Sequence, residues 1–136
     1  MNDTLEKFKN EKRIWHINGW AYPQIRLNSR KIVFGKLMNS WGWATWNDRW
    51  EQHEERSLNL ISCLDYKTRK DFNFNNLTNW EQQLIDNEKG KISTWAVFWY
   101  QTIFLNNGLT VFQQWYHCFL QTRVQDDDLI APLFFL

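Results

Sequence analysis

Ser40-Trp41-Gly42-Trp43-Ala44-Thr45-Trp46-Asn47-Asp48-Arg49-Trp50 carries four of the ten tryptophans in a chain of 136 residues, a density that no ordinary core requires. Trp43, Trp46 and Trp50 stand at i, i+3 and i+7, the spacing of one helical face. A helix is therefore predicted over about residues 43–55, closing in the charged series Glu51, Glu54, Glu55 and Arg56. Trp41 and Gly42 precede the periodic part and read as a turn entering that helix. The rings either form core or make a wall that stacks on a sugar or a base. Asn47, Asp48 and Arg49 stand beside them as groups able to bind hydroxyls or phosphates.

Upstream of this stretch, residues 31–37 (KIVFGKL) read as a short strand interrupted at Gly35. Residues 20–30 have turn and polar character with a few aromatics, which suits a long functional loop. Residues 13–18 (RIWHIN) alternate Ile14, His16 and Asn18 with Trp15 and Ile17. Apolar residues on both faces predict a strand buried on two sides, at the centre of an α/β sheet. Residues 3–12 read as a short helix with Asp3 or Thr4 as N-cap and Leu5 and Phe8 on its buried side.

Downstream, a short helix is expected over residues 58–64 and irregular, asparagine-rich chain after it. Thr78-Asn79-Trp80-Glu81 has the form of a capping box, opening a helix that runs to about Asn87 and stops at Gly90. Residues 93–106 (STWAVFWYQTIFLN) are apolar almost all round, which predicts the most buried helix, capped by Ser93 or Thr94 and ended by Asn107-Gly108. Residues 109–112 read as a strand returning to the sheet.

Composition narrows the classes. A net charge of +1 gives no field that draws the chain to nucleic acid or an anionic membrane. Aromatics at 18% argue for a packed globule. Cys63 and Cys118 stand far apart without CxxC spacing, so neither a zinc site nor a disulfide framework is indicated and a reduced setting is the simplest reading. The charged first twelve residues have no apolar signal region, and no run reaches the length of a membrane span. Among smaller constellations, His16 reads as a hydrogen-bonded structural histidine. Asp126, Asp127 and Asp128 read as a solvated patch before a metal site. Arg26, Arg30 and Lys31 form a basic cluster able to clamp a diphosphate or simply to be solvated. No nucleotide-binding or hydrolase motif occurs.

Three phrases carry the reading further. They are Arg13-Ile14-Trp15-His16-Ile17-Asn18-Gly19-Trp20-Ala21-Tyr22-Pro23, then Asn39-Ser40-Trp41-Gly42-Trp43-Ala44-Thr45-Trp46, then Ser93-Thr94-Trp95-Ala96-Val97-Phe98-Trp99 leading to Phe104-Leu105-Asn106-Asn107-Gly108-Leu109. In this order and at these separations they resemble the C-terminal half of bacterial family 2-type glycosyltransferases of the GT-A fold, the kind found in cell-surface polysaccharide gene clusters. The resemblance covers about residues 1–112, with 113–136 as a divergent tail, and its most specific piece is WGWATW.

The resemblance implies an α/β fold: a partial GT-A (Rossmann-like) sheet fragment with flanking helices, helix-rich. It also implies a transferase that moves a sugar from a nucleotide-sugar donor to a saccharide or lipid-linked acceptor, cytoplasmic or peripheral at the inner face of the cell membrane, with no nucleic acid partner. In such proteins an acidic motif holding a divalent metal, Mn or Mg, comes shortly before the helix equivalent to residues 2–12. This chain is expected to be an acceptor-side fragment beginning just past that motif, inactive alone, with no cofactor or metal ligand of its own. Trp41, Gly42 and Trp43 would then border the sugar-binding cleft, with Trp20 and Tyr22 on its rim. Relatives often have an Asp just before the tryptophan matching Trp95, as the base that deprotonates the acceptor hydroxyl. Ser93 and Thr94 stand there instead, which leaves Asp48, or Glu51, as the candidate. The tail also lacks the Asn-Ile-Gly phrase and later histidine of similar proteins. The alternative is a non-catalytic carbohydrate-binding or protein-interaction module. Such a module would present two or more coplanar, solvent-facing tryptophans, whereas a transferase fragment would bury most of them and expose an apolar sheet edge.

Overall fold

In the computed structural model, which describes residues 1–19, 32–53 and 64–112, strand β1 (Ile14–Asn18) is buried along its whole length. It lies inside a mixed sheet whose described strands run β2 (Val33–Gly35), β4 (Leu109–Phe112), β1, β3 (Trp43–Ala44). β4 is parallel to β1, while β3 pairs with β1 and β2 with β4 antiparallel. Helix α1 (Asn2–Phe8) precedes the sheet. Helices α2 (Asn47–Trp50), α3 (Tyr66–Phe72), α4 (Trp80–Glu88) and α5 (Ala96–Leu105) fill the long crossover from β3 to β4. The fold is therefore mixed α/β with several helices and a small four-stranded sheet.

Simple alternation does not describe β1. Ile14 faces Leu109 while His16 faces Thr110, so Trp15 is one residue extra against β4, a bulge that re-aims side chains. Ile14 and Ile17, three apart, consequently share one face with Val111, packed under Met1, Leu5 and Phe8 of the α1 side. Trp15 packs instead with Trp99 and Ile103 of α5.

α5 is buried from Val97 to Ile103, as its all-round apolar sequence requires. One flank packs with Phe72 of α3 and Leu84 of α4, the other against Trp15. Its end is a Schellman turn: Asn107 takes φ +51, its N–H reaches Phe104 O at 3.0 Å, and the Gly108 N–H reaches Ile103 O at 2.8 Å. Its start differs from expectation, with Trp95 at the cap position. Thr94 is drawn away by Asn87, whose Oδ1 accepts the Thr94 N–H at 2.8 Å and whose Nδ2 donates to the Thr94 hydroxyl at 3.0 Å.

The predicted helix over residues 43–55 is the principal correction. Trp43 and Ala44 are strand, paired to Asn18 and Ile17, and the Thr45 hydroxyl donates to Trp15 O at 2.5 Å. Among the described residues of this stretch only Asn47–Trp50 is helical, with Trp46 as its extended cap residue. Pairing along β1 outweighs a helical period carried by three tryptophans, and it sends their rings to different sides. α1 also begins earlier, capped at Met1, and ends at Phe8. Arg49 binds the carbonyls of Lys9 and Glu11, each at 3.3 Å, in place of further helical donors.

Two more differences concern local caps. Irregular chain was expected after residue 64, but Asp65 starts α3 by accepting the Thr68 N–H at 2.8 Å and its hydroxyl at 3.0 Å. The capping box at Thr78 does not form. Asn79 holds the cap position of α4 without a side-chain bond, and Glu81 is engaged by Asn73 and Arg69. The helix expected over 58–64, the loop 20–30 and the tail 113–136 lie outside the described residues, apart from Leu64.

Candidate functional site

β1 ends just before Gly19, β2 has its place at the far edge of the sheet, and the chain joins the sheet again at Trp43; the turn just before Trp43 forms a tip. The Gly19 N–H donates to Gly42 O at 2.6 Å. A Cβ on Gly19 would lie 2.2 Å from that oxygen, so only glycine permits the approach. Gly42 takes φ +58, and the Trp41 N–H is held by Asn39 Oδ1 at 2.9 Å, an Asx-type turn. On this fixed backbone the Trp41 residue is 80% exposed. An indole left in water on an over-determined turn gains nothing for folding, since its burial would be worth a few kcal/mol, of order 2–3.

Beneath the tip, His16 is fully buried. The Trp99 indole N–H donates to its Nδ1 at 3.1 Å, and indole nitrogen only donates. Nε2 therefore carries the proton, which it shares with Asn18 Oδ1 at 2.8 Å and Asn39 O at 3.1 Å. The Asn18 amide is oriented independently, because its Oδ1 also accepts the Asn39 N–H at 2.9 Å while its Nδ2 faces Leu37 O. Burial pushes the imidazole pKa down to about 4, against the raising effect of its bonds to Asn18 and Asn39. His16 is a neutral strut between α5 and the segment that carries Trp41.

Trp43 lies flat on His16, with ring centroids 5.3 Å apart and planes 16° off parallel. It also touches Trp50, Trp95 and Trp99, and Trp50 stacks on His53 at 4.6 Å. Trp50 and Trp95 are 37% and 40% exposed, but their planes cross at 73°. They form a broken aromatic rim, not a flat platform. The sequence had marked neither Trp95 nor His53 as a site residue. For Trp95 the third phrase, which contains it, was the signal available; His53 lies in none of the three phrases. Trp46 turns to the opposite side, where its indole N–H donates to Leu5 O at 3.2 Å and the Arg49 guanidinium sits 4.3 Å over its ring.

Of the predicted site residues, Trp41, Gly42 and Trp43 thus stand together at the tip and the stack below it. Trp20 and Tyr22 lie outside the described residues. Asp48 is turned elsewhere: its carboxylate accepts from Lys12 at 2.9 Å and from Arg49 at 2.8 Å. The Lys12 bond first, and Arg49 second among its partners, hold its pKa below the usual carboxylate value. None of these partners belongs to the tip, and a carboxylate so stabilised is a weakened proton acceptor. Glu51 accepts from Asn47 at 2.5 Å. At the other end of the sheet, beside the start of β4, a cleft of about 290 Å³ is lined by Lys36, Thr68, Asp71, Phe104 and Asn107.

Among the described residues no three His, Cys, Asp or Glu side chains gather where they could hold a metal ion, and no helix is long and apolar enough to cross a membrane. No protein-family model, no curated protein and no solved structure matches the chain.

Proposed function

We propose that residues 1–112 are the acceptor-side portion of a nucleotide-sugar-dependent glycosyltransferase of GT-A type, with the Trp41 tip as a surface for the saccharide or lipid-linked acceptor. The observation that carries this reading is convergence. The three phrases on which the family resemblance rests meet at His16: the first supplies His16, Asn18 and Gly19, the second Asn39, Trp41 and Trp43, and the third Trp99. Segments that share no local structure have been gathered under one exposed indole.

In this reading the chain's own residues bind and orient. Trp41 offers a face to a pyranose, and Gly19 and Gly42 fix its height. The Asn18 amide and the side-chain oxygen of Asn39 are committed to the protein. Asp48, tied to Lys12 and Arg49, is a poor base as it stands. The described residues offer no set of ligands for the divalent ion of the intact family. The donor pocket and the metal belong, by the resemblance, to other residues, and the chain alone is expected to be inactive, working at the cytoplasmic face of the membrane only within the intact enzyme.

A carbohydrate-binding or interaction module remains the second reading, favoured by the exposure of Trp41. Against it stands the arrangement of the rest: Trp15 and Trp99 are buried, and Trp50 and Trp95 are not coplanar. The role of the tip as a saccharide surface, which both readings share, and the expected inactivity of the chain alone are tested by experiment. The purified chain is incubated with nucleotide sugars and Mn or Mg, and separately titrated with soluble oligosaccharides while the Trp41 signal is followed. Weak, Trp41-dependent saccharide binding without turnover supports the proposal. Turnover at the rate of an intact transferase overturns the assignment as an acceptor-side portion, and absence of any saccharide response overturns the tip's role.

A further inference from the structure

Trp41 is presented by a hydrogen-bonded chain that begins in the core. The Trp99 N–H meets His16 Nδ1, the His16 Nε2–H meets Asn18 Oδ1 and Asn39 O, and Asn39 Oδ1 takes the Trp41 N–H. We propose that His16 is the positioning residue of the Trp41 tip, acting through the Asn39 backbone that its Nε2–H holds. The inference deepens the acceptor-surface reading and rests on it for its purpose, but the coupling it asserts is measurable without any ligand.

The geometry leaves His16 one arrangement. Its Nδ1 can only accept, because a donor faces it, and its Nε2 can only donate, because two acceptors face it. A second proton would set N–H against N–H at Trp99, and the ring would have to turn or withdraw, taking its contacts to Asn18 and Asn39 with it. The groups in contact with it are Asn18 from β1, Asn39 from the segment after β2, Trp43 from β3 and Trp99 from α5. Among the described residues none of these bears a charge. The other titratable ring in the stack is His53, edge-on to Trp99 at 5.9 Å. The cation Arg49 lies on the far side, over Trp46.

The test uses the full chain labelled with 5-fluorotryptophan, with Trp41 and Trp99 assigned by Trp41→Phe and Trp99→Phe, together with backbone amide exchange at pH 7. In the parent protein the Trp41 and Trp99 fluorine signals should move with one common midpoint on acidification. Asn39→Ala keeps the carbonyl that His16 contacts and removes only the acceptor for Trp41. It should raise Trp41 amide exchange about tenfold, the loss of one hydrogen bond of ordinary worth, and uncouple the Trp41 signal from acid while Trp99 still responds. Asn39→Asp, which restores an acceptor, should restore both. Unchanged Trp41 exchange in Asn39→Ala overturns the proposal, as does independent titration of the two tryptophans. If acid unfolds the chain before the midpoint, Trp41 amide exchange at pH 7 in His16→Gln decides: raised exchange supports the proposal and unchanged exchange overturns it. A tip that stays coupled to His16 but answers no oligosaccharide refutes the acceptor-surface reading and leaves the positioning role standing.

Discussion

The amide of Gly19 donates to the carbonyl of Gly42 across 2.6 Å, and this one bond closes the base of the tip that carries Trp41. It joins the end of β1 to the turn before β3. The approach is too close for any side chain.

Gly19→Ala is therefore expected to cost about 1–3 kcal/mol, as overpacking does. The new Cβ would lie 2.2 Å from a backbone oxygen and 2.6 Å from the Met1 methyl, and the backbone oxygen cannot swing aside. Gly42→Ala meets no atom within 4 Å but must hold φ +58, a strain of about 1–2 kcal/mol. Urea unfolding of both variants checks this. A Gly19→Ala protein as stable as the parent would show that the two strands do not approach this closely.

Stability should fall between about pH 6.5 and pH 4. The His16 pKa is depressed by burial to about 4 in the folded chain from its ordinary value of 6.5, so the unfolded chain binds the extra proton across that window. The contribution is complete above the unfolded pKa and is lost as pH falls toward the folded one, roughly 3 kcal/mol in all. Carboxylates held down by their partners, such as Glu11 by Arg13 and Asp48 by Lys12, lose their contribution in a different window, beginning near their unfolded values and continuing below pH 4. Urea midpoints at pH 7, 5.5 and 4.5 should therefore decline in the parent and stay level in His16→Gln. A decline that persists in His16→Gln assigns the titration elsewhere.

Trp41→Ala should leave stability within about 0.5 kcal/mol of the parent, as for a surface change that touches no packing, and should abolish any saccharide response. Trp43→Ala should instead cost about 3–5 kcal/mol, because that ring rests on His16 and touches Trp50, Trp95 and Trp99. Paired chemical denaturation and oligosaccharide titration read both effects. Equal losses of stability would mean that Trp41 is not a surface residue.

At the end of α5, Asn107 sits at φ +51, where glycine meets no steric penalty. Asn107→Gly should keep or raise stability by a few tenths of a kcal/mol, and Asn107→Val should lower it by 1 kcal/mol or more, on the order of the left-handed penalty. Thermal melts of the two variants check the ordering. Reversed ordering would exclude the Schellman turn.

The sequence made several elements readable because their signals are local. RIWHIN is apolar on both faces and became the buried inner strand. The run of aromatic and aliphatic residues before Asn107-Gly108 became the most buried helix, stopped where the left-handed residue and glycine allow. The turn at Trp41 and Gly42 was likewise visible as the non-periodic start of the tryptophan stretch, whereas the sequence left the Trp41 ring open between core and an exposed wall. α3 was not visible, since Phe72 is its one buried residue and its cap, Asp65, precedes no apolar period.

What the sequence determined by itself was therefore the set of pieces: a two-sided strand, an all-round apolar helix, glycines at turns, and a tryptophan outside any period. The tertiary structure alone decided that Trp43 is strand and not helix, because its partner Asn18 lies in another phrase. It alone decided that Glu81 answers Asn73 instead of Thr78, and that Asp48 answers Lys12 and not the tip. Local propensity counts only neighbours along the chain. Pairing to β1, and the burial of His16 between Trp43 and Trp99, are set by contacts between residues far apart in the sequence, and those contacts decided where each ring points.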